Sequence, residues 1–290
     1  MYCEIDAFLP VREAYEFLRK SSYRRLLDGT DGFRLRTVKL RGQLSQGLLL
    51  PLSVIPEGGA ALAREGLDVT DALGIVLYEP PIPAELAGLA RGPFPGFLVR
   101  TEEERVQNLP ELFERPPATP LNATEKLDGS SVTFYVHEGV FGVCSRGLDL
   151  IEAPGNAFWR AARSLGIEEK LRSLGENVAL QGELVGPGVR GNPYRLPALD
   201  VRFFNAFRID ARAHVDLAGL RALAERLGLR LVPILDDSFP LPATLGERLL
   251  AAEGPSVLRP DAQREGLVVR SHDRALSFKV LSNRVLLAEG

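Results

Sequence analysis

Lysine is scarce in this chain. Of its 35 basic side chains only five are lysines: Lys20, Lys39, Lys126, Lys170 and Lys279. A guanidinium keeps its proton in a protein, whereas an amine can lose it and attack an electrophile. A lysine held in a tight turn against an arginine background therefore points to amine chemistry, and TEKLDGSSVTFYV (124–136) holds Lys126 in such a turn between apolar stretches. Two cysteines, Cys3 and Cys144, are too few for a disulfide framework and lack zinc spacing. The three histidines (His137, His214, His272) form no HExxH or similar cluster, which argues against a catalytic zinc. GxxxxGK[ST] does not occur, so a P-loop is disfavoured. The longest apolar runs, such as LLLPLSVI (48–55), fall well short of a membrane span, and no leader-like segment opens the chain; a cytoplasmic protein without membrane contact is expected.

What is present describes a globular protein of 290 residues, 45% hydrophobic and 25% charged, enough for one large or two ordinary domains. Its net charge of −3 is unevenly spread. Between Arg19 and Arg41 eight basic residues (Arg19, Lys20, Arg24, Arg25, Arg34, Arg36, Lys39, Arg41) stand against Asp28 and Asp31, a local excess of six positive charges. Such a run suits a phosphate-contacting face if it clusters in space; a solvated basic surface is the plainer alternative.

The chain divides near residue 115, at the proline-rich ERPPATP (114–120). Before it, PVREAYEFLRK reads as a short helix and GFRLRTVKLRG alternates at strand period with its arginines on one face. TEEERVQNLPELF reads as a helix capped by Thr101. After it come a hairpin turning at Glu138-Gly139, an amphipathic helix over AFWRAARSLGIEEKLRSLG, a buried strand in NVALQGELVG and a strand in VRFFNAFRID. A helix over LAGLRALAERLG, a second over TLGERLLAAEG with a Thr244/Glu247 capping box, and closing strands in REGLVVRS and LSFKVLS complete the pattern. This is an α+β order with largely antiparallel sheet, not βαβ alternation.

Several charges interrupt these apolar strands. Lys126 and Asp128 bracket a turn, Arg146 sits in CSRG, Glu183 in QGELVGPG, Glu265 in REGLVV and Lys279 in SFKV. Unpaired burial of any one would be costly, so mutual pairing or a charged ligand is expected, and two carboxylates, two lysines and an arginine suit a nucleotide phosphate with a divalent metal.

In order, EKLDGSS, SRG, GELVGPG, FFNAF, REGLVV and SFKV resemble the motif series of the covalent nucleotidyltransferases, and most closely that of ATP-dependent RNA ligases of the nick-sealing type. EIDAFLP and KLRGQLSQGLLLPL resemble the bacterial members that carry an OB-type domain first. The resemblance implies an α+β nucleotidyltransferase domain of antiparallel, ATP-grasp-like sheets with helices over 118–290. It is preceded over 1–112 by an OB-like nucleic-acid-binding barrel with its connecting helix, in which further strands would be expected upstream of Met1. It also implies ATP as substrate, Mg2+ or Mn2+ as cofactor, nicked duplex RNA or an RNA/DNA hybrid as partner, and a monomer.

Carried over residue by residue, Lys126 would be the nucleophile that takes AMP, its amine made reactive by neighbouring cations such as Lys279 or Arg146, or by a metal. Asp128 would serve the sealing steps and Lys279 would contact the α-phosphate. Glu125 would lie near the adenine edge, Arg146 at ribose or the substrate phosphate, and Glu183 at the ribose hydroxyls. Phe207 would stack on adenine, with Phe204 as alternative, and Glu265 would bind the metal. Arg24, Arg25, Arg34, Arg36, Lys39 and Arg41 would grip the nucleic acid. The family's last motif often has a second lysine where Leu281 stands, and Arg284 is the candidate substitute. A DNA ligase, or a non-catalytic nucleic-acid-binding protein on a ligase core, remains the other reading.

Overall fold

The computed structural model describes residues 1–26, 29–40, 43–55, 64–78, 88–115 and 117–289. The chain forms two compact units, Met1–Pro83 with Leu286–Gly290, and Ala84–Val285. The division falls before the expected linker at 114–120 because strands on its N-terminal side pair into the larger unit's sheets.

The strands of the first unit are short: β1 (Tyr2–Glu4), β2 (Ala7–Pro10), β3 (Tyr23–Arg25), β4 (Asp31–Arg34), β5 (Val38–Leu40), β6 (Gln43–Ser45), β7 (Gly47–Leu49) and β8 (Val76–Leu77). They pair antiparallel as β3-β4-β2-β8, β1-β7 and β5-β6. Leu9, Tyr15, Leu18, Phe33 and Leu35 close a small core. PVREAYEFLRK forms a 3-10 turn (Glu13–Leu18) running into a one-turn helix (Arg19–Ser22), which buries Tyr15 and Leu18. GFRLRTVKLRG is not one strand: it breaks between β4 and β5.

The larger unit holds two sheets. The seven-stranded one runs β17 (Ala213–His214), β16 (Asp200–Arg208), β15 (Val178–Val185), β12 (Ser130–His137), β13 (Val140–Cys144), β14 (Leu148–Leu150) and β9 (Ala90–Pro93). The five-stranded one runs β10 (Glu104–Arg105), β20 (Ser277–Leu281), β19 (Gly266–Ser271), β11 (Leu121–Lys126) and β18 (Ile234–Asp236), with β10-β20 parallel. β12 and β13 join through Glu138 and Gly139, both left-handed (φ 49° and 76°), the two-residue turn whose twist suits a hairpin.

Period-2 alternation gives each sheet an apolar face and a polar one. Val132, Phe134, Leu180 and Phe203 pack under the helices Ala157–Ser164, Ile167–Arg172 and Leu217–Leu227. The first two replace a single expected helix, because left-handed Gly166 (φ 61°) interrupts it. Leu121, Ala123, Leu267, Val269 and Phe278 form the second core beside the helix Leu245–Ala252, which opens on the expected Thr244/Glu247 capping box. Asn122, Thr124 and Lys126 alternate with the core residues of β11, as Ser277, Lys279 and Leu281 do on β20. The expected Thr101 helix is absent. Glu104–Arg105 is instead recruited as an edge strand on β20, followed by a 3-10 turn at Val106–Asn108 and one α-helical turn at Glu111–Glu114.

Candidate active site

Lys126 ends β11. Its Nζ donates to both carboxylate oxygens of Glu265, at 2.7 and 2.8 Å, and both side chains are half-buried. The turn that follows presses on β15: a Cβ at Gly129 would lie 2.4 Å from the Leu184 carbonyl oxygen, so only glycine lets KLDG approach Glu183 this closely. Burial pulls the Lys126 pKa down, but Glu265, Glu183 and Glu103 more than offset it and hold the amine above the ordinary lysine range. Carboxylates, not cations, dominate the surroundings of the nucleophile in the free protein.

Glu183 is the converse case. Burial pushes its pKa up to about 8, against the pull of Lys126 and with the push of Glu265 and Asp128. A carboxyl whose folded pKa exceeds its unfolded value costs no stability below the unfolded value, near pH 4, and costs progressively more as pH rises to the folded one. Glu183→Gln is therefore expected to stabilise the fold at pH 8.5 by on the order of 3 kcal/mol and hardly at pH 4. Thermal melts at the two pH values check this; an equal Tm difference at both would contradict it.

Lys279 lies on β20, in register with Val268 of β19 and Arg105 of β10. Burial lowers its pKa, and Arg105, Lys126 and Arg146 push the same way against Glu103. Glu103 is ion-paired with buried Arg270; burial alone would raise its pKa, but Arg270, Lys126 and Lys279 hold it below the usual carboxylate range. Glu125 is fully buried. Its Oε2 accepts the Val257 N–H at 2.8 Å, and the Ser256 side chain also bonds the carboxyl. Asp128 Oδ1 accepts from Arg190 Nε at 3.0 Å, and its N–H donates to the Tyr194 hydroxyl at 2.6 Å. Arg146, 63% exposed, donates to Glu102 at 2.8 Å.

The arrangement joins a half-buried amine, hard oxygen donors and a row of cations, which suits a phosphorylated substrate rather than a neutral one. Among the described residues no three His, Cys, Asp or Glu side chains converge as a ready metal cage. One or two carboxylates that leave the remaining positions to phosphate oxygens are what Mg2+ or Mn2+ with a nucleotide requires, and Glu265 and Glu183 fit that donor chemistry.

The RNA ligase family model matches residues 119–284, and an OB-fold domain model matches residues 1–52. The chain belongs to the RNA ligase family. Solved structures of the Naegleria gruberi RNA ligase resemble it over nearly its whole length. An apo point mutant has TM-score 0.90 and 41% identity, covering 98% of this chain and 85% of that one. A point mutant with ATP and Mn has TM-score 0.89, 40% identity and the same coverage. The structure with PPi has TM-score 0.88, 41% identity and again 98% and 85% coverage. A search of the curated proteins found no match.

Of the residues picked out in the sequence of this RNA ligase, Lys126, Asp128, Glu183, Glu265 and Lys279 fall into one interacting group. Phe207 does not join it. It is 2% exposed and packed with Leu98, Tyr135, Ala179 and Ile209, so neither ring face is open to a base. Phe204, the alternative, packs beside Leu127, Tyr194 and Val232, with the Arg270 guanidinium 5.5 Å from its ring centre. Phe204→Ala is expected to raise the KM for ATP about tenfold, at 1–2 kcal/mol for the stacking partner removed, whereas Phe207→Ala is expected to cost 3–5 kcal/mol of fold stability instead. Nucleotide titrations with parallel melts separate the two, and unchanged ATP affinity in Phe204→Ala would contradict the assignment.

Arg284 does not replace the missing second lysine: it is 79% exposed and turned to Glu253 at 3.5 Å. In the basic run, Arg19 pairs with Glu16, Arg25 with Asp31 and Arg34 with Asp6, so much of the apparent charge excess is neutralised locally. Arg24 and Arg36 have no carboxylate partner among the described residues, Lys39 lies on β5, and Arg41 lies outside the described residues. Glu103, Arg105, Arg190 and Tyr194 escaped the sequence reading. The i, i+2 spacing of Glu103 and Arg105 was the available signal that TEEER is strand and not helix. No helix among the described residues is long and apolar enough to cross a membrane.

Proposed function

We propose that this RNA ligase joins a 3′-OH to a 5′-phosphate at a break in duplex RNA or an RNA/DNA hybrid, consuming ATP through an AMP group carried on Lys126. The observation that carries the reading is the Lys126–Glu265 pair, set against Glu183 and Glu103 with Lys279 and Arg105 in register beside it. Lys126 Nζ attacks the α-phosphorus, the bond to the β-phosphate oxygen breaks, pyrophosphate leaves and the amine gives up a proton. AMP then passes to the strand's 5′-phosphate. The 3′-OH attacks that phosphate and AMP departs.

Each side chain has a task in that sequence. Glu265 must leave Lys126 for the amine to lose its proton, because the same carboxylate that orients Nζ also holds it charged. Glu265 and Glu183 would hold a divalent ion when one is bound, and it would supply charge neutralisation on the phosphates. Lys279, Arg105 and Arg146 take phosphate oxygens, with Arg146 exchanging Glu102 for them. Glu125 offers its carboxyl to the exocyclic amine of adenine, and Phe204 offers a stacking face. Positioning and charge are what phosphoryl transfer needs most.

The OB-type unit grips the duplex through phosphates, so no base readout is expected. Nick-sealing assays on matched substrates that differ only in the sugar of the 3′-OH strand test the reading; preference for RNA supports it, and sealing confined to DNA would overturn it. Arg24→Ala combined with Arg36→Ala is expected to weaken binding equally across sequences and to flatten the salt dependence by about 0.9 for each phosphate no longer neutralised. An unchanged slope would place the nucleic acid elsewhere.

A further inference from the structure

The segment Gly186–Arg195, GPGVRGNPYR, is built at unusual conformational cost. Three non-glycine residues in it are left-handed, Arg190 (φ 48°), Asn192 (54°) and Arg195 (51°), together with Gly186, Gly188 and Gly191. Each such L-residue costs about 1–2 kcal/mol, and conformations of this kind persist where the surroundings impose them. The surroundings here are specific. Asn192 is bonded to Leu196 through both side-chain atoms, at 2.9 and 3.0 Å. The Pro193 carbonyl accepts from Arg259 at 2.8 Å, and Tyr194 is buried with its hydroxyl on the Asp128 N–H. The loop is therefore moored to the turn that carries Lys126.

What the mooring presents is Arg190. Its Nε lies 3.0 Å from Asp128 Oδ1, two residues from the nucleophile, and its side chain is 53% exposed. A guanidinium 53% exposed can be approached by an anion arriving from solvent, and its planar geometry suits a phosphate as well as a carboxylate.

We propose that Arg190 is a ligand for a phosphate of the nucleic-acid strand beside the break, and that it exchanges Asp128 for that phosphate when the strand binds, freeing the carboxylate for the sealing steps. The proposal rests on the reading of the chain as a lysyl-AMP ligase. It places a strand contact on the catalytic unit itself, beside Lys126. A guanidinium can trade a carboxylate for a phosphate without losing charge pairing, since both accept its donors two at a time.

The test compares wild type, Arg190→Ala and Arg190→Lys in two assays: AMP labelling of the protein, and sealing of a nick already adenylylated at its 5′ end, which bypasses labelling. For Arg190→Ala the sealing KM is expected to rise tenfold or more, the loss in sealing to exceed the loss in labelling by at least tenfold, and the salt slope of nick binding to flatten by about 0.9. Arg190→Lys should recover part of the KM. Comparing 5′-phosphate with 5′-hydroxyl nicks identifies the phosphate: a defect limited to the former assigns the terminal group, and a defect on both assigns a bridging one. Equal losses in labelling and sealing, or an unchanged KM and salt slope, would overturn the proposal. A wild-type chain that takes no label would instead overturn the underlying reading, and the proposal with it.

Discussion

Lys126→Arg is expected to take no AMP label at all. The substitution keeps the positive charge and a donor group for Glu265, so the fold and the local pairing persist while the one missing property is an amine able to deprotonate. Lys126→Ala should fail equally, but by also leaving Glu265 and Glu183 without their cation. The comparison separates chemistry from charge. Label on the arginine variant, read after denaturing electrophoresis with α-labelled ATP, would remove Lys126 from the nucleophile's role.

Glu265→Ala and Lys279→Ala are each expected to cut ligation by 10²-fold or more, about 3 kcal/mol in the barrier. Glu265 gives both oxygens to the Lys126 pair, and Lys279 sits among Arg105, Lys126 and Arg146 with burial disfavouring its charge, so an incoming anion would relieve its environment. Their pH signatures should differ as well. The Lys126 pKa is raised chiefly by Glu265, so in Glu265→Gln the amine deprotonates at lower pH and the rising limb of labelling against pH moves to lower pH, even as the maximum falls. Sealing rates close to wild type with an intact far-ultraviolet spectrum, or a rising limb moved upward, would contradict this account.

The chemistry was legible where a charge interrupts an apolar strand. Glu183 and Lys279 stand out because β15 and β20 are otherwise core residues at period 2, and the KLDG turn stands out through its lysine. Hairpins and capped helices were legible for local reasons, as with Glu138-Gly139 and the Thr244/Glu247 box. Long-range pairing was not. The two-residue β10 is a strand only because β20 accepts it in parallel, and an acid-rich TEEER otherwise reads as the start of a helix. The choice between Phe204 and Phe207 turned on a bulge: β15 pairs Gln181 with Asn205 but Gly182 with Phe203, leaving Phe204 as the extra residue. A bulge re-aims side chains in a way that strand periodicity does not reveal. The carboxylate surroundings of Lys126 were hidden for a related reason, since Glu103, Glu183 and Glu265 come from three separate parts of the chain.

The most direct test of the central claim is the mass of the protein itself after incubation with ATP and Mg2+ or Mn2+, followed by peptide mapping of the modified species. The account predicts a single added AMP, located on the peptide that contains Lys126, stable to denaturation and released by acid. No adduct on the folded protein, or an adduct carried on any other residue, would contradict it.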